Sequence, residues 1–310
     1  MSYKLLSFAS EENKIRAGLL IGDIVHDVEH LTGKAHYATV LGILEDWEHA
    51  EAILTAVSAT APAAAAEGVP LASVTLHAPI LYPGQIFAAG ANYQDHIDEM
   101  VRQGVVEAGP NAKQAGERPW HFIKASRSGV VGPGTVLPLP AHSAKVDWEI
   151  ELAVVIGKKA KNVPIESAME YVAGYTIVND LSARDFVFRK GTPPDSPFYH
   201  DWIGSKNFDG ACPMGPWITP ASDIPDPMNL SMKLWVDEVI RQDSSTRHMI
   251  FNIAEQIAEL SARVTLNPGD VIMTGTPDGV GMGCNIFLKP GQQLRLWIEH
   301  IGELQHGFTA

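Results

Sequence analysis

The stretch "DWEIELAVVIGK" sets three carboxylates, Asp147, Glu149 and Glu151, two residues apart. Side chains alternate faces along a strand, so the spacing predicts all three acids on one face. A solvated strand face is the bland explanation. Against it, the run Ala153 to Ile156 is apolar and carries the strand into a core. A second apolar strand, "GYTIVND", ends on another acid, Asp180. Acids brought together at the ends of core strands repel one another unless a cation sits between them. Oxygen-only ligands select a hard ion such as Mg²⁺, Mn²⁺ or Ca²⁺, whereas zinc more often draws His or Cys.

The elements that must position these acids are short and punctuated. The chain has 310 residues, 27 Gly and 21 Pro, too many breakers for a helical bundle. Residues 1–70 read as a small N-terminal domain: strands in "YKLLSF" and "IRAGLLIGDIVHDV", then a helix in "WEHAEAILTAVSAT". The Ala/Pro-rich stretch 59–70 reads as a linker. Residues 71–310 form the main domain. Its strands, "WEIELAVVIG", "GYTIVND", "NLSMKLWVDE", "DVIMTG" and "QQLRLWIEH", suggest a mixed, mostly antiparallel system. Helices are expected at 165–174 and at 246–264, where Ile250, Ile253, Ile257 and Leu260 fall at helical spacing. The loop "GTPDGVGMG" (275–283) lacks the Lys-Ser/Thr ending of a phosphate-binding loop. It is expected instead to bring backbone close to a ligand or a strand.

Bulk properties exclude some partners. A net charge of −13 argues against nucleic acid. No apolar run approaches the ~18 residues of a membrane span. The N-terminus has no signal-peptide pattern. Two distant cysteines, Cys212 and Cys284, make a disulfide framework improbable and point to the cytoplasm.

Five motifs in order, "GANYQDHIDEM", "DWEIELAVVIG", "GYTIVNDLSARD", "GSKNFDG" and "LNPGDVIMTGTPDGVG", resemble the fumarylacetoacetate hydrolase family over roughly residues 75 to 310. The resemblance implies a mixed β (α+β) fold, a β-sandwich roll with a small N-terminal domain, usually a homodimer. It implies a Mg²⁺ or Mn²⁺ cofactor held by Glu149, Glu151 and Asp180, with Asp147 behind them. Arg184 and Asp185 would form a structural pair beside the metal loop. The family's His–Glu pair falls on His96 and Glu99, one helical turn apart, so both can face one site as an oriented general base. Its site lysine falls on Lys206, and substrate contacts on Tyr93 and Thr276; for Thr276 an ordinary turn threonine is an equal alternative.

The implied activity is hydrolysis of a C–C bond in a 2,4-dioxo acid of the acylpyruvate type, as in aromatic catabolism. A decarboxylase, isomerase or hydratase using the same enolate chemistry is the alternative, and a non-catalytic binder has no need of a base. The partner is a small 2-oxo acid, with neither nucleic acid nor membrane. Two departures affect the pocket. Val187 stands where many members carry a substrate-contacting Gln, and the stretch 188–204 is long. Within that stretch Arg189 is taken as a substrate contact, with Tyr199 and His200 as further residues that reshape the pocket.

Overall fold

The computed structural model describes residues 2–10, 12–60 and 68–310. The chain opens with β1 (Lys4–Ala9), β2 (Ile15–Ile21) and β3 (Ile24–Asp27), then α1 (Val40–Glu45) and α2 (Trp47–Thr60). The site elements follow: β4 (Ile86–Ala89), α3 (Gln94–Arg102), β5 (His121–Lys124), β6 (Val146–Asp147), β7 (Ile150–Ile156), β8 (Val172–Asn179), β9 (Ser182–Ala183) and α4 (Trp202–Lys206). The rest comprises β10 (Cys212–Pro220), β11 (Ser231–Val236), β12 (Val239–Ser245), α5 (Ile253–Arg263), β13 (Val271–Met273), β14 (Gln293–Ile298) and β15 (Gly302–Phe308).

The fold is mixed α+β. One large sheet runs β3-β2-β1-β10-β8-β7-β13-β4-β5, and a five-stranded sheet runs β12-β11-β14-β15 and closes on Val136–Leu137. Pairing is mostly antiparallel, with β13 and β4 parallel through Ile272↔Phe87. The alternation of β7 divides two cores. Ile150, Leu152, Val154 and Ile156 pack towards the five-stranded sheet with Leu234, Leu296 and Leu304. Ala153 and Val155 face the other way, onto the cluster that holds Leu5, Ile43, Trp47 and Leu54. Glu151 shares the parity of Ala153 and Val155.

The N-terminal strands β1, β2 and β3 join this sheet. β1 pairs with β10 through Leu5↔Ile218, and the helices α1 and α2 share a core with β7 and β13. The expected linker at 59–70 lies mostly on residues 61–67, outside the described residues. Both later helices differ from expectation. Residues Ile165–Tyr171 form a 3-10 helix, and Val172 already begins β8, where β-branched and aromatic residues favour a strand. The second helix is shorter, because Asn252 and Glu255 form a capping box that starts it at Ile253. Ile250 therefore precedes the helix. Among the described residues no helix is long and apolar enough to cross a membrane.

Candidate active site

The carboxylates of Glu149, Glu151 and Asp180 are buried, and one oxygen from each lies within 4.8 Å of the others. Their strand is not continuous. β6 ends at Asp147 and β7 begins at Ile150, so the acids do not share one uninterrupted strand face. Between them Trp148 is fully buried and donates its indole N–H to Gly279 O at 3.1 Å. The Glu149 N–H leaves the ladder for the Asn179 side chain, 2.9 Å away. Asp147 turns to the glycine-rich loop, where it accepts the N–H groups of Gly281 at 2.6 Å and Met282 at 2.9 Å. The third member of the cluster comes instead from the end of β8, as Asp180.

Three cations compensate this charge. Lys206 Nζ lies 2.7 Å from both Glu149 Oε2 and Asp180 Oδ2. Arg184 bridges Asp147 at 2.8 Å and Glu149 at 2.5 Å. Its expected partner Asp185 instead takes Ser143 Oγ and the Ala144 N–H. The third cation, Lys124, is fully buried, with Nζ 2.5 Å from Asp180 Oδ1 and within reach of the Leu181 and Lys206 carbonyls. These three cations reach Asp147, Glu149 and Asp180, whereas Glu151 takes the Gly275 N–H. Burial pushes Glu149 up, yet Lys206 and Arg184 outweigh it and hold the carboxyl at about 2. Glu151 goes well above the ordinary carboxylate range, driven by burial and then by Asp180 and Glu149. An acid pushed towards its protonated form by burial and by two neighbouring acids, in an all-oxygen cluster, is the donor set that a hard divalent cation fits. Such an ion would displace the Glu151 proton.

The loop 275–283 holds the acids by its backbone. Gly275 N–H donates to Glu151 at 2.7 Å, and Gly279 N–H donates to Glu99 at 3.2 Å. Gly275 and Gly279 have φ of 97° and 90°, and a Cβ on Gly279 would sit 2.0 Å from the Arg241 carbonyl. Only glycine allows this approach. Opposite the loop, α3 presents His96 and Glu99, both almost buried, with His96 Nδ1 3.4 Å from Glu99 Oε2. His96, Glu149, Glu151, Arg184, Lys206 and Thr276 line one cavity of about 160 Å³.

The sequence matches the family described as "Fumarylacetoacetate (FAA) hydrolase C-terminal" over residues 85–309. This chain belongs to the fumarylacetoacetate hydrolase family. Among its relatives, "Oxaloacetate tautomerase Fahd2a, mitochondrial" of Rattus norvegicus is 40% identical over 236 residues, covering 76% of this chain and 69% of the relative. Among solved structures, maleylpyruvate hydrolase from Sphingobium sp. SYK-6, in complex with manganese(II) and pyruvate, superposes with a TM-score of 0.74 at 30% identity. That match covers 99% of this chain and 98% of the other. Fumarylacetoacetate hydrolase from Exiguobacterium antarcticum matches with a TM-score of 0.76 at 29% identity over 100% of both chains.

The remaining expected residues divide between the core, the surface and the cavity. Tyr93 is fully buried in the main core, its hydroxyl against Met232 Sδ at 3.6 Å, so it does not line the cavity. Arg189 also stays outside. Residues 188–200 fold back on themselves through the Phe188↔His200 bridge, and the exposed Arg189 reaches Asp201 at 3.3 Å. Thr276 lines the cavity, but its hydroxyl already donates to Ile150 O and accepts from Gln242 Nε2, both at 2.9 Å. Val187 is not a cavity residue, and its carbonyl accepts the Asp201 N–H at 3.0 Å. The structure adds two elements that the motifs did not reveal: Lys124, and a wall made by Trp120, Phe122 and Trp202.

Behind Glu149, Asn179 donates to His306 Nε2 at 2.9 Å while its Oδ1 holds the Glu149 N–H. Burial lowers the His306 imidazole from 6.5 to about 3. The unfolded chain therefore takes up the proton first as pH falls. His306's contribution to stability is complete above about 6.5 and is lost towards 3, at about 1.4 kcal/mol per pH unit. His121, lowered to about 4 by burial, acts in the same sense. Cation-free Glu151 acts in the opposite sense, since its raised value stabilises at low pH. Urea unfolding of wild type and His306→Gln from pH 7.5 to 5.5 separates these effects, because only His306 differs. The variant should lose less stability per pH unit below 6.5, by about 1 kcal/mol. Equal slopes would remove His306 as the titrating group.

Proposed function

We propose that this chain is a divalent-cation-dependent hydrolase that cleaves a C–C bond in a 2,4-dioxo acid, releasing pyruvate or a related 2-oxo acid and a carboxylic acid. One observation carries the reading: His96, paired with Glu99, opens onto the same cavity of about 160 Å³ as Glu149 and Glu151 of the acid cluster. Glu149, Glu151 and Asp180 would hold Mg²⁺ or Mn²⁺. When bound, the cation supplies positive charge for the 2-oxo acid and for the negative charge that develops on it. His96 takes a proton from water, which adds to the distal carbonyl. The bond between C3 and C4 then breaks, and C3 recovers a proton. Glu99 keeps the imidazole oriented, and the Gly279 N–H fixes Glu99 in turn. Lys206, beside Glu149 and Asp180, donates to oxygen on the 2-oxo acid side. A homodimer follows from the family resemblance. A cytoplasmic location agrees with two unpaired cysteines.

A second reading is tautomerisation of oxaloacetate, favoured by the 40% identical oxaloacetate tautomerase. It would use the same residues to move a proton between carbon and oxygen, with no C–C cleavage. A panel of 2,4-dioxo acids and oxaloacetate, assayed with Mg²⁺, with Mn²⁺ and with chelator, decides. Chelator-sensitive release of pyruvate or another 2-oxo acid from a 2,4-dioxo acid is expected. Enol–keto conversion of oxaloacetate, with every 2,4-dioxo acid intact, would replace the first reading by the second.

A further inference from the structure

The outer wall of the cavity is aromatic. Trp202 stacks on Phe122 with ring centroids 5.6 Å apart and planes 13° from parallel, and Trp120 lies 5.2 Å from Trp202. His200 continues the stack on Trp202 at 5.9 Å and 6°. The wall begins at the acids, where Lys206 Nζ lies 5.1 Å from the Phe122 centroid, and ends at solvent, where Trp120 is 45% and Trp202 36% exposed. It is built in. A Cβ on Gly90 would fall 1.9 Å from the Trp120 ring, so glycine there lets the indole lie on the backbone. The long segment 188–204 delivers His200 and Trp202.

Among the described residues that line the cavity, no Lys or Arg is left over for a second carboxylate at this end. The two basic residues in the cavity, Arg184 and Lys206, are both committed to the acids, and Arg189 pairs with Asp201 outside it. Resting on the 2-oxo acid reading above, we propose that the substrate's far end is a planar, unsaturated apolar group, such as an aryl ring, and that Trp120 and Trp202 are specificity-determining. Flat rings gain from offset stacking and burial in such a slot, whereas a carboxylate there would lose its water without a partner.

Three matched acids test this by binding, with no reaction required: 2-oxobutanoate, 4-phenyl-2-oxobutanoate and 2-oxoglutarate, which differ at C4 by hydrogen, phenyl or carboxylate. Calorimetry and tryptophan fluorescence are read on the full chain with Mn²⁺. The phenyl acid should bind about 10-fold more tightly than 2-oxobutanoate and quench the fluorescence, while 2-oxoglutarate gains nothing. Trp202→Ala should erase that advantage and leave 2-oxobutanoate within about twofold. Trp120→Ala, on a different segment, should do the same and guards against a local disturbance of α4. Tighter binding of 2-oxoglutarate than of the phenyl acid, equal losses for all three acids, or binding of none with Mn²⁺ would overturn the proposal. So would loss of a dimer in Trp202→Ala with the phenyl preference intact, which would make the wall a subunit interface. Tight phenyl-acid binding without cleavage of any 2,4-dioxo acid would keep the slot and refute the hydrolase reading alone.

Discussion

Glu151→Gln is expected to abolish activity and the thermal stabilisation by Mg²⁺ or Mn²⁺, yet leave the cation-free protein as stable as the wild type. The reason is the charge pattern. Glu151 is the carboxyl that keeps its proton when the others are matched by Arg184, Lys206 and Lys124. A neutral amide replaces a neutral acid, and its oxygen can still accept the Gly275 N–H. Glu149→Gln removes the same activity but also leaves Arg184 and Lys206 short of a partner. Breaking a buried ion pair from one side costs about 3–5 kcal/mol, so this variant should unfold earlier even without a cation. In the wild type, a cation at about 100 times its Kd adds ~2.7 kcal/mol, which for a chain of this length is roughly 4 °C in Tm. Loss of the cation's charge stabilisation, several kcal/mol, lowers the rate on the order of 10³-fold. Calorimetric melting of both variants with chelator and with Mn²⁺ checks the contrast. A Glu151→Gln protein as unstable as Glu149→Gln would refute the charge assignment. A preserved Mn²⁺ shift in either variant would refute the cation site.

What could be read from the sequence follows from where the information resides. Glu149 and Glu151 announced themselves through local spacing, Asp180 closed an apolar strand next to a readable motif, and the His96–Glu99 pair was legible only through the family resemblance of its motif. Asp147 looked like their equal by spacing. Its fate was decided by the break in the strand at Trp148 and Glu149, whose N–H groups bond the Asp147 and Asn179 side chains, and by loop amides more than a hundred residues later. Lys124 was invisible for the same reason. A lysine ending "HFIK" carries no mark of an aspartate that reaches it only through tertiary pairing. The N-terminal strands likewise looked separable, because nothing local to "YKLLSF" tells that Leu5 will pair with Ile218. Tyr93 was placed by motif position and Arg189 by the long segment 188–204, and neither source tells whether a side chain turns to the core, to solvent or to the cavity.

His96→Ala should lower 2,4-dioxo acid cleavage by about 10²- to 10⁴-fold, the usual cost of removing a general base. It should leave the cation site intact, since Glu149, Glu151 and Asp180 hold their positions through Asn179, Arg184, Lys206, Lys124 and the Gly275 amide rather than through the imidazole. The Mn²⁺ rise in Tm and the binding of oxalate should therefore persist. Decarboxylation of oxaloacetate needs charge stabilisation but no attacking water, so any such activity in the wild type should survive the substitution. Parallel measurement of cleavage, decarboxylation and the Mn²⁺ shift gives each result a distinct meaning. Cleavage at near wild-type rate would remove His96 from the mechanism. A lost Mn²⁺ shift would make the residue structural. Equal loss of cleavage and decarboxylation would move His96 to a step that both share, the return of a proton to C3. In that case the tautomerase reading gains, because moving a proton at C3 is the whole of that reaction.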